Sequence, residues 1–187
     1  MTAILNLEPL TQNLSREQFI RLCQSNPDLQ LERSPQGELI IMSAVGGESG
    51  NREASLITKV GIWNDRTQLG YVFSSSTIFS LPHGGERSPD VAWVAKSRWE
   101  ALSPEEREGF PPICPDFVIE LRSRSDRLKP LQAKMQEYLA SGLQLGWLIN
   151  PQDRQVEIYR PNQTVEVLPL PAKLSGEDIL PSFELPL

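Results

Sequence analysis

The segment Asp116-Phe-Val-Ile-Glu-Leu-Arg122 constrains this chain more than any other. Its apolar run reads as a buried β-strand with Phe117, Ile119 and Leu121 on one face. Glu120 then falls on the opposite face, beside Val118 and Arg122. A carboxylate amid such a strand must find a partner, because a lone buried charge is costly. Three partners are available to it: Arg122 two residues on, a lysine from a neighbouring element, or a metal ion.

A second acid stands in a similar place. Ser88-Pro89-Asp90 leads into Val91, Trp93 and Ala95, which share one face of another apolar strand. Pro89 has no N–H to give a ladder, so Asp90 opens its strand at a boundary. Carboxylates on two adjoining strands form a cradle for a hard cation. The chain has one histidine, His83, and two cysteines, Cys23 and Cys114, without metal-ligand spacing. That argues against zinc and for oxygen ligands around magnesium or manganese. Both cysteines read as reduced structural thiols.

The helix predicted from Leu128 to Ser141, with Gly142 as its stop, carries a third candidate. Lys134 and Tyr138 are four apart and share a face. Lys134 borders the apolar stripe of Leu131, Met135, Tyr138 and Leu139. A lysine there either snorkels outward or points at an acid in the core, and Glu120 is such an acid. Tyr138 and the four tryptophans read as packing groups.

The remaining elements follow from capping, periodicity and turn chemistry. Ser15-Arg-Glu-Gln18 is a capping box that opens a short helix with Phe19, Leu22 and Cys23 inward. Leu29–Arg33 and Glu38–Ser43 flank a four-residue turn and predict a hairpin. Gly46-Gly47 precedes a long helix, Glu48 to Thr67, whose stripe is Leu56, Ile57, Val60 and Trp63. Short strands are expected at Tyr71–Phe73 and Thr77–Leu81, and a polar insertion over Lys96–Pro112. Strands at Leu145–Ile149, Gln155–Arg160 and Thr164–Leu168 finish the sheet. The tail from residue 169 is expected to run along the surface, anchored by Ile179, Leu180 and Phe183. The pattern is mixed α and β: one domain over 1–187, with one central sheet, two main helices packed on it, and a helix and hairpin in 1–45.

No apolar run nears the roughly 18 residues of a membrane span. Met1–Leu14 lacks the pattern of a signal peptide, so a cytoplasmic location is expected. The net charge of -6 disfavours tight non-specific binding to nucleic acid, although a basic cleft on an acidic protein is compatible with it.

Taken in order, several segments resemble the Uma-type family of restriction endonucleases, in the PD-(D/E)XK nuclease superfamily. They are Gly46-Gly-Glu-Ser-Gly-Asn-Arg52, Arg87-Ser-Pro-Asp-Val-Ala-Trp93, Cys114-Pro-Asp-Phe-Val-Ile-Glu-Leu121, Lys134-Met-Gln-Glu-Tyr138, Leu145-Gly-Trp-Leu-Ile149 and Leu174-Ser-Gly-Glu-Asp-Ile-Leu-Pro181. The resemblance implies a restriction-endonuclease-like core, a central mixed β-sheet flanked by helices. It implies DNA as substrate and phosphodiester hydrolysis with Mg2+ or Mn2+ held by Asp90, Glu120 and the Leu121 carbonyl. Lys134 would stand in for the superfamily's lysine two residues after the glutamate, a position that here is Arg122. Glu48 matches the family's acidic position on the first helix, whereas helical periodicity favours Glu53. A homodimer is expected by analogy. The competing expectation is a catalytically degenerate, dimeric binding or scaffold protein with the same fold.

Overall fold

The computed structural model describes residues 13–187, so the expectation for the first residues of the chain lies outside the described part. In chain order the elements are α1 (Arg16–Ser25), β1 (Leu31–Arg33), β2 (Leu39–Ile41), α2 (Gly47–Thr67) and β3 (Gly70–Ser74). Then come β4 (Phe79–Ser80), β5 (Glu86–Arg87), β6 (Val91–Ala95), α3 (Lys96–Glu100) and α4 (Pro104–Glu108). The chain continues through β7 (Phe117–Leu121), α5 (Leu128–Ala140), β8 (Leu145–Asn150), β9 (Gln155–Tyr159), β10 (Glu166–Pro169), β11 (Lys173–Ser175) and β12 (Glu184–Pro186).

The central sheet has six strands in the order β10-β9-β8-β7-β6-β3. Only β7 and β8 run parallel, because α5 carries the chain back between them; the other neighbours are antiparallel. Alternation along β7 divides the core as the sequence predicts. Phe117, Ile119 and Leu121 pack with Leu56, Val60 and Trp63 of α2, while Val118 packs with Met135 and Tyr138 of α5. Burying one such large apolar side chain contributes about 1.5–3 kcal/mol, which is why register is strongly held here.

Two expectations need correction. The strands are not gathered into one sheet. β4 and β5 form a hairpin across the turn at Pro82–Gly85, and β5 pairs with β1, so a separate four-stranded sheet runs β2-β1-β5-β4. The ladders of β4 and β5 are two residues long, too short to show as a periodic pattern. Nor is the tail a surface arm. β11 pairs with β12, and Leu174, Leu180, Phe183 and Leu185 enter the main core beside α2. The Trp63 indole N–H donates to the Pro181 carbonyl at 3.0 Å and ties that closure to the helix. Apolar residues separated by prolines hid this packing, because neither a helical nor a strand period survives there.

At the N-terminal end, Ser15 and Gln18 form the expected capping box on α1. The β1–β2 hairpin closes through Gly37 at φ +85°, where an added Cβ would lie 2.9 Å from the Leu14 carbonyl oxygen. Phe19, Leu22, Leu14 and Leu31 form a small core of their own beneath it. This layer matters for function because β1 and β5 together face the end of the central sheet where Asp90 lies. Among the described residues, no helix is long and apolar enough to cross a membrane.

Candidate active site

The site begins with strand register. Val91 lies opposite Ile119 and Ala92 opposite Val118, so one step further Asp90 stands opposite Glu120. Asp90 lies just before β6, and its carboxylate takes over the end of the ladder: Oδ2 accepts from the Leu121 N–H at 2.6 Å. Both acids are on the α5 side of the sheet, the side of Val118. Glu120 is 3% exposed.

Lys134 answers the question of Glu120's partner. One turn ahead of Tyr138 on α5, it is 6% exposed and points inward. Its Nζ lies 2.8 Å from Glu120 Oε1, and the Tyr138 hydroxyl donates to the same oxygen at 3.0 Å. Tyr138 thus touches a site acid, which its place on the apolar stripe did not reveal. Arg122 turns away from the site. Its guanidinium donates to Asp153 and Asn150 at 2.9 and 3.2 Å. The cation beside the glutamate is therefore Lys134.

Glu32 of β1 joins them, a residue that the sequence reading passed over. It is 2% exposed, its Oε1 lies 2.8 Å from Lys134 Nζ, and its Oε2 accepts from Arg87 at 3.0 Å. Arg87 in turn donates to Glu137 at 2.6 Å. The available signal was a charged pair, Glu32-Arg33, inside a predicted strand. Its destination depended on the second sheet.

Charge governs the protonation of this cluster. Burial pushes Asp90 up, nearby Glu120 pushes it further, and Lys134 offsets only part, leaving it at about 8. Burial likewise raises Glu120, against the opposing pull of Lys134. Burial alone would raise Glu32 and lower Lys134, but ion pairing wins in both. Lys134 and Arg87 hold Glu32 below the usual carboxylate range, while Glu120, Glu32 and Asp90 hold Lys134 above the usual lysine range. Lys134 is thus charged, and Asp90 is the acid left without a full counter-charge.

The cluster forms the floor of a cleft of about 790 Å³, walled by β2 and the loop after it on one side and by α5 on the other. Asp90, Glu120, Leu121 and Lys134 all line it. Glu48 does not. Its side chain is 83% exposed and lies 4.0 Å from Arg52. Glu53 does line the cleft and accepts from Ser75 Oγ at 2.5 Å. Five residues at about 100° each put Glu48 about 140° around α2 from Glu53, so only one of them can face the cleft. The helical stripe, and not the segment match, points to the residue that lines the cleft. Among the described residues, no three or more His, Cys, Asp or Glu side chains are grouped to hold a metal ion. Asp90 and Glu120 form a two-carboxylate oxygen set, of the kind magnesium accepts while keeping several waters.

A mixed sheet flanked by helices in this arrangement is found in a known structure. The crystal structure of a "putative nuclease belonging to DUF820" from Anabaena variabilis ATCC 29413 matches with a TM-score of 0.78. The match has 22% identity and covers 92% of this chain and 94% of that one, which establishes a shared fold. Residues 16–187 match the model of the Uma2 family, described as "Putative restriction endonuclease", and the chain belongs to that family. No curated protein matches the chain significantly.

Proposed function

We propose that the protein is a metal-dependent endonuclease that hydrolyses phosphodiester bonds in DNA. The observation that carries this reading is the facing pair Asp90 and Glu120, whose negative charge Lys134 compensates only in part. Asp90, Glu120 and the Leu121 carbonyl would hold Mg2+ or Mn2+; the donor types fit, and a divalent cation would offset the burial and the Glu120 repulsion that raise Asp90. When bound, the ion supplies Lewis-acid activation of water and charge neutralisation at the phosphate.

The chain's own groups do the rest. Lys134 stays protonated across the neutral range, so its part is electrostatic: a fixed positive charge at the pentacovalent phosphorane, not a base. The Leu121 N–H orients Asp90, and Tyr138 and Lys134 orient Glu120. Glu53 takes the place on the first helix that Glu48 was expected to fill, as an outer acid beside Asp90. Two such sites paired in a homodimer would cut both strands; light scattering of the purified protein measures that pairing.

The test is cleavage of supercoiled plasmid with magnesium or manganese. Cutting by the wild type and its loss in Asp90→Ala are expected. No cutting, or equal cutting by the variant, sinks the reading. One observation favours the second reading, a degenerate scaffold of the same fold. The cleft is lined by seven acidic residues against three basic ones, Arg87, Arg127 and Lys134, an unfavourable balance for a polyanion. Calorimetric titration with manganese separates the two: binding that disappears in Glu120→Ala counts against the scaffold.

A further inference from the structure

Glu32 is a buried carboxylate with no part in the reaction as described above. It belongs to β1 in the four-stranded sheet, yet every partner it has lies at the site. Its Oε1 lies 2.8 Å from Lys134 Nζ and accepts from the Ser88 N–H at 2.8 Å, while its Oε2 accepts from Arg87 at 3.0 Å. An ammonium group has three protons. Lys134 has three acceptors around it: Glu32 Oε1, Glu120 Oε1 and the Ser88 carbonyl at 3.1 Å. Three acceptors hold both the place and the rotation of the nitrogen. Two would let it swing about its last carbon–carbon bond.

The same carboxylate also holds the backbone that Lys134 grips. Ser88 is two residues before Asp90, and Glu32 grips its N–H while Lys134 grips its carbonyl. Glu32 is held in turn, because Arg87 is anchored by Glu137 at 2.6 Å. Stability alone is a weak reason for such an arrangement, since apolar residues of similar volume often fill a buried ionic site at no cost.

We infer that Glu32 is a positioning residue: it aims the Lys134 ammonium at Glu120. Its effect on turnover rests on the nuclease reading; the geometry does not. The experiment compares the full-length wild type with Glu32→Gln, Lys134→Met and the double variant. In manganese-supported plasmid cleavage, Glu32→Gln lowers kcat about tenfold or more. KM for DNA and manganese affinity stay within about twofold, and the substitution costs nothing further once Lys134 is Met. Additive losses, or a loss that appears in KM, overturn the inference.

A second readout needs no turnover. The ¹H–¹⁵N signal of the Lys134 ammonium, assigned by its disappearance in Lys134→Met, is protected from exchange in the wild type and lost in Glu32→Gln. Its persistence overturns the inference. Should Glu32→Gln fail to fold, Glu32→Asp keeps the charge and shortens the reach, and the signal must again be lost. If the wild type never cuts DNA while the ammonium behaves as stated, the positioning role stands and the nuclease reading falls.

Discussion

Replacing Asp90 by Asn makes the metal-free protein more stable at alkaline pH while removing its capacity to hold a cation. Asn keeps the size of Asp and an oxygen to accept from the Leu121 N–H, but carries no charge. In the wild type, Asp90 sits at about 8 instead of its ordinary 3.8. The native state therefore holds this proton more tightly than the unfolded chain. Its contribution to stability is fully present below about pH 4 and is lost as pH rises through about 8. At about 1.4 kcal/mol per pH unit the loss has a ceiling near 6 kcal/mol. Asp90 is only partly buried, so solvent screening brings the expected figure to about 2–3 kcal/mol. Urea denaturation of wild type and variant in EDTA, from pH 4 to 9, measures it. Groups common to both proteins cancel, so the variant's advantage should open above pH 4 and level off above 8. Millimolar manganese should then stabilise the wild type alone and narrow or reverse the difference. A gap that does not change with pH, or a variant less stable than wild type at pH 9, refutes the reasoning.

Other expectations follow from the same geometry. Lys134→Met leaves Glu120 and Glu32 facing each other in the core, a loss of about 3–5 kcal/mol in chemical denaturation, partly restored by adding Glu32→Gln. Arg122→Ala removes a half-exposed pair with Asp153, so it should cost about 1 kcal/mol or less in thermal unfolding and leave manganese binding unchanged. Glu53→Gln should weaken manganese binding in calorimetry, while Glu48→Gln should not. Leu180→Ala, in the tail, should cost about 2–5 kcal/mol, as a core truncation does and a surface one does not.

Asp90 and Glu120 were legible as candidates because local rules express them. A carboxylate in an apolar strand, and another at a strand boundary after proline, are exceptions to burial that a sequence displays directly. Lys134 was legible for the same reason, as a charge beside an apolar helical stripe. Glu48 and Glu53 show the limit of matching segments: helix phase, a physical constraint, separates them. Tyr138 shows another, since a buried aromatic reads the same whether its hydroxyl is idle or bonded to a site acid.

By itself the sequence determined the elements that bury one clear face: α1, α2, α5, β6, β7 and the strands after α5, together with the acids and the lysine they carry. Period and capping act within a few residues, and so they survive in a linear reading. Tertiary structure alone decided the partners. It paired β5 with β1, folded residues 173–186 into the core, turned Arg122 toward Asp153 and brought Glu32 onto Lys134. Those contacts join segments as far as 118 residues apart: Glu32 and Lys134 meet only because the short hairpin β4–β5 docks one sheet against the end of another. Charge complementarity chooses such partners in three dimensions, and no spacing along the chain encodes it.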